Sequence, residues 1–110
     1  MELPTRTFGV EHYTAYVTAR SALRALDLGA PSTRVAWAYR DVVRLLDDLH
    51  TDEGLCHVED LDAPRPALVE AARAAISRLV TFGKPPDDVA VVVTGLDAAV
   101  ALEASERGAR

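Results

Sequence analysis

The sequence predicts one all-α domain, a four-helix bundle built from two antiparallel helical hairpins, and three observations carry that expectation. Apolar residues recur at three- and four-residue spacing in four separate segments, as they do on helices with one buried face. Alanine, the strongest helix former, supplies 19 of the 110 residues. Short breaks around Gly29–Ser32 and Gly83–Pro86 separate the segments pairwise, and connections so short fold each pair back as a hairpin.

The first helix is expected over 9–27. Tyr16, Ala19, Leu23 and Leu26 form its apolar stripe, and Glu11, Thr14, Thr18 and Ser21 its polar side. Gly29 is the expected left-handed stop, after which Pro31, with Ser32 or Thr33 as a cap, opens the next helix. That helix, 34–49, has Val35, Ala38, Tyr39, Val42, Leu45, Leu46 and Leu49 on one face. Arg40, Asp41, Arg44, Asp47 and Asp48 occupy the other. An acidic linker, 50–65, comes next. The third helix, 66–82, opens on a proline that suits a first turn, and its core stripe is Leu68, Ala72, Ala75, Ile76 and Leu79. Gly83 ends it. Asp87 or Asp88 caps a fourth helix over 88–106. Its run Val89–Thr94 is rich in β-branched residues and also fits a strand, for which Leu55–Val58 is the one weak partner. The helical reading aligns Val89, Val92, Val93, Leu96, Ala99 and Val100 on one face.

Two features depart from a plain bundle. On a helical wheel Trp37 falls roughly 140° from the core centre at Val42, among charged residues. It either lies over its own helix, is covered by the N-terminal segment around Leu3 and Phe8, or anchors a protein contact, where Trp is enriched. The fourth helix is apolar on nearly all sides, with Val91, Gly95, Ala98 and Leu102 beside its core stripe. Such a helix is either surrounded or covered by another chain, and small Gly95 and Ala98 would admit one closely. The expectation is a homodimer with Trp37, Val91, Gly95, Ala98 and Leu102 at the interface.

The linker gathers the residues most capable of chemistry. Asp52, Glu53, Glu59, Asp60 and Asp62 form a candidate docking patch for a basic protein, and by themselves match the net charge of −5. His50, Cys56 and His57 are candidate metal ligands by type, although no paired Cys-x-x-Cys or His-x-x-x-His spacing fixes a geometry. No other cofactor is indicated.

The negative charge argues against nucleic acid or an anionic membrane as the main partner, because both reward concentrated positive charge. The longest apolar-leaning stretch, Val89–Leu102, is too short for a bilayer and holds Asp97. The N-terminal residues lack the apolar core of a signal peptide. One cysteine forms no internal disulfide, which suits a reducing cytoplasm. Eleven arginines against the single Lys84 are the usage of a GC-rich, bacterial genome.

Catalytic patterns are sparse. There is no Gly-rich phosphate loop and no Gly-x-Ser-x-Gly elbow. Arg44 and His50 have a spacing that resembles the Arg–His pair of HEPN-type helical ribonucleases, but Leu45 stands where that family usually has a polar residue. Leu28–Ser32 is slightly similar to a carrier-protein attachment site but lacks the Asp before its Ser. The sequence therefore points to a small non-enzymatic protein-binding or regulatory domain. The alternative is a small metal protein or enzyme built on the linker.

Overall fold

A computed structural model describes residues 9–51 and 56–108. Over them the chain forms α1 (Val10–Leu28), α2 (Thr33–Asp48), α3 (Arg65–Arg78) and α4 (Pro86–Gly108), with a 3-10 turn, Leu79–Phe82, prolonging α3. The described residues contain no strand, so the bundle expected from periodicity is the observed fold. α1 packs against α2 and α3, and α4 packs against the same two helices, which puts α1 and α4 at opposite corners.

Local signals explain most helix ends. The Val35 backbone N–H donates to the Ser32 hydroxyl at 3.2 Å, so Ser32 is the N-cap of α2. Gly83 ends the 3-10 turn at φ 97°, a left-handed conformation that favours glycine. Gly29 departs from expectation, because its φ of −96° is not left-handed. Its lack of a side chain serves a close approach instead. A Cβ there would stand 3.0 Å from an Arg65 guanidinium nitrogen, and that guanidinium donates to the Leu26 carbonyl at 3.0 Å. In α4 the helix begins at Pro86, so Asp87 and Asp88 lie inside the first turn and face the positive end of the helix dipole. The run 89–94 is helical. A helix satisfies its own backbone groups, whereas a strand there would need a partner.

Small residues let the helices approach closely. Ala15, Ala19 and Ala22 of α1 and Ala72 and Ala75 of α3 are buried, alongside Tyr16, Leu23, Leu26, Leu68 and Ile76. The α1–α2 hairpin is pinned by charge at two levels. Arg20 makes a fork with Asp47 at 3.0 and 3.2 Å, and Arg40 donates to both oxygens of Asp27. Advancing from Arg20 to Asp27 on α1 retreats from Asp47 to Arg40 on α2 by the same number of positions, which fixes the antiparallel register. Ser21 corrects the expected polar stripe of α1. It is buried, and its hydroxyl accepts the Glu59 backbone N–H at 2.9 Å, which holds the linker against the helix.

One buried carboxylate joins all four helices. Glu103 of α4 accepts from Arg65 at 2.6 and 2.8 Å, from the Tyr39 hydroxyl at 2.9 Å and from Arg107 at 3.0 Å. Arg65 begins α3 and also reaches the Leu26 carbonyl of α1. The Arg65 guanidinium, outweighing the cost of burial, holds the Glu103 carboxyl below the usual carboxylate range. Burial and the Glu103 hydrogen bond push the Tyr39 phenol up to about 12.

Two pH limbs follow by linkage. The folded Glu103 carboxyl titrates below its unfolded value of about 4.3, so its contribution is complete above that value. It is lost as pH falls through the depressed folded pKa. The folded Tyr39 phenol titrates above its unfolded value of about 10, so its contribution is complete below that and is lost as pH rises towards 12. Glu103→Gln should cost roughly 3 kcal/mol at neutral pH, since it leaves Arg65 partly buried without its counter-charge. Urea titrations across pH should also show a flatter acid limb in Glu103→Gln and a flatter alkaline limb in Tyr39→Phe. Unchanged limbs in both variants would contradict this assignment.

Candidate functional site

Large exposed apolar side chains occur on α1 (Val10, Tyr13 and Leu28), on the 3-10 turn (Val80), on α2 (Trp37) and on α4 (Val91). Val35, Tyr39, Val42 and Leu46 turn one side of α2 into the core, which leaves Trp37 on the other side at 62% exposure. Trp37 and the partly buried Leu102 line one shallow groove of about 360 Å³, together with Thr33, Arg34, Ala38 and Asp41. Two residues singled out separately on two helices thus share one surface. Leu3 and Phe8, considered as covers for Trp37, lie outside the described residues.

The remaining interface candidates divide. Val91 is 53% exposed and Ala98 is exposed. Gly95 differs from expectation, because a Cβ there would meet Leu45 at 3.2 Å and Val42 at 3.6 Å. The close approach it permits is made by α2 of the same chain. α4 is not surrounded either: Ala90, Thr94, Asp97 and Ala101 also face outward. Much of its all-round apolar character is therefore surface alanine.

The linker residues do not converge. Asp52 and Glu53 lie outside the described residues, while Glu59, Asp60 and Asp62 are exposed. His57 is exposed and lies 3.6 Å from the Glu59 carboxylate. Cys56 is buried near the Arg20–Asp47 pair, and burial pushes its thiol pKa up. No group of three or more His, Cys, Asp or Glu side chains placed to hold a metal occurs among the described residues.

His50 instead pairs with His12, a residue that sequence reasoning passed over. Both are buried, and their Nε2 atoms are 3.1 Å apart. His50 Nδ1 lies 2.8 Å from the Leu46 carbonyl, which only accepts, so Nδ1 carries a proton. With both rings neutral, His50 Nε2 is then the acceptor and His12 Nε2–H the donor. Tyr16 stacks on His50 at 3.7 Å, and Phe82 stacks on His12 at 5.3 Å. The Tyr16 hydroxyl donates to Asp47 at 2.7 Å. The available signal was position, since His12 extends the α1 stripe by one step of four before Tyr16. Arg44 belongs elsewhere. It is exposed and paired with Asp41, so the Arg44–His50 spacing builds no joint site.

A cleft of about 290 Å³ between α3 and α4 is walled by Arg65, Arg73 and Arg107. Glu103 binds Arg65 and Arg107, and Asp97 binds Arg73. The Arg65–Glu103 and Arg73–Asp97 pairs tie α3 to α4.

His50→Ala should destabilise the fold by about 3 kcal/mol, through lost ring packing and a broken buried hydrogen bond. Arg44→Ala should stay within about 0.5 kcal/mol, as exposed substitutions do. Chelator should leave the melting temperature unchanged, because the described residues hold no group of three metal-capable side chains. A drop of several degrees would restore the metal reading. The chain matches no protein-family profile, no curated protein and no solved structure.

Proposed function

We propose that this chain is a small, non-enzymatic protein-binding or regulatory domain that works as a homodimer through the α2–α4 face. The observation that carries this reading is the groove shared by exposed Trp37 and Leu102. A large aromatic left in water beside a leucine and an alanine is the composition of an interface centre rather than of an ordinary surface. The buried polar side chains support the same reading. Glu103, Ser21 and the His12–His50 pair bridge different parts of the fold and leave structural work as their evident role. A reducing, cytoplasmic setting suits the buried Cys56 thiol.

Light scattering on the intact chain should give about twice the 11.8 kDa monomer mass at micromolar concentration. Leu102→Glu should shift the species to monomer while retaining helical circular dichroism. Trp37→Ala should weaken association without lowering helical content. A wild-type monomer at high micromolar concentration would remove this reading.

A further inference from the structure

We propose, resting on the homodimer reading, that two copies pair with their α2 helices antiparallel about a two-fold axis between Trp37 and Ala38, so that Arg34 of each copy meets the partner's Asp41. Arg34, Trp37 and Asp41 occupy one exposed side of α2 at helical spacing, and all three line the Leu102 groove. The positive charge precedes the apolar centre and the negative charge follows it. About an axis between positions 37 and 38, Arg34 and Asp41 are equally distant, so an isologous antiparallel contact makes two identical ion pairs. The same axis places each indole over the other copy's Ala38, a small residue with Leu102 beside it. Parallel pairing in register would set Arg34 against Arg34 and Asp41 against Asp41, which is repulsive. The charge pattern is therefore complementary to itself in one orientation only, which favours a second copy over an unrelated protein.

The existing partners of these charges leave them available. Arg34 is 3.7 Å from Glu106, with most of its side chain in water, and Asp41 pairs with exposed Arg44. Exposed pairs of this kind contribute little and rearrange readily. The arrangement also limits the interface. Gly95 packs beside Val42 and Leu45, and Val91 lies a further turn away from Leu102 along α4. That places Val91 level with the C-terminal end of α2, past the start of the partner's α2. Val91 stands outside the contact.

The test is a charge-reversal cycle on the full chain, read by sedimentation velocity over a concentration series, with circular dichroism confirming the fold. Arg34→Asp and Asp41→Arg should each weaken the dimer about tenfold, because each puts like charges together. The double variant should recover to within about threefold of wild type, and Val91→Glu should leave the dimer intact. Single variants without effect, or a double variant weaker than either single, would overturn the arrangement. So would a Val91→Glu monomer. The homodimer reading fails separately, and takes this arrangement with it, if the wild-type chain sediments as a monomer.

Discussion

A carboxylate taken out of water must be matched by donors that come from somewhere, and in this bundle the donors to Glu103 come from three helices. Arg65, Tyr39 and Arg107 converge on its two oxygens, and Arg65 extends the set to the Leu26 carbonyl. Leaving any of these groups unmatched in the interior is costly, so the constraint acts on the helices that carry them. It sets the level of α4 against α2, the start of α3, and the distance from α3 to the end of α1. Apolar burial drives the helices together, but it is non-directional and tolerates sliding. The Glu103 cluster at one end, and the Arg20–Asp47 and Arg40–Asp27 pairs along α1 and α2, give the packing its register.

The interior is otherwise made of small and medium side chains. Buried alanines on α1 and α3 bring those helices close, and Gly95 does the same between α4 and α2. This economy of volume places large residues at few positions. Tyr16 and Tyr39 are the largest buried side chains, and each turns its hydroxyl to a carboxylate, Asp47 or Glu103. Trp37 has no such place inside. Its helix already presents Val35, Tyr39, Val42 and Leu46 to the core, and Trp37 lies on the side turned away from it.

The surface that results has a consistent character. Trp37 stands between Arg34 and Asp41, and the exposed apolar residues of α4 are mostly alanine, Ala90, Ala98, Ala101 and Ala104 beside Val91. Alanine on a helix exterior carries little of the penalty of larger exposed side chains and supports helix formation. An apolar composition around α4 therefore serves propensity along much of its length, and becomes an attractive surface where Leu102 approaches Trp37. The polar groups of the linker are arranged differently, with His57 and Glu59 facing solvent while Cys56 is buried.

Periodicity alone determined the four helices, the two hairpins and most core positions, because burying one face of a helix needs only the local repeat of apolar residues. It also placed Trp37 outward, since the direction of a side chain around its own axis is a local property. Relations between helices were decided by the tertiary structure. Sequence could show that Gly95 is small, but not that Leu45 and Val42 would occupy the space it leaves. It grouped His50 with Cys56 and His57 by proximity in the chain, whereas the histidine that pairs with His50 is His12, brought from the start of α1 by the hairpin. Gly29 read as a backbone signal and proved to be a clearance for Arg65 from the third helix. In each case the deciding contact joins residues far apart in the chain. Such contacts are set by the register of packed helices, and that register depends on which buried polar groups find one another, which no local pattern encodes.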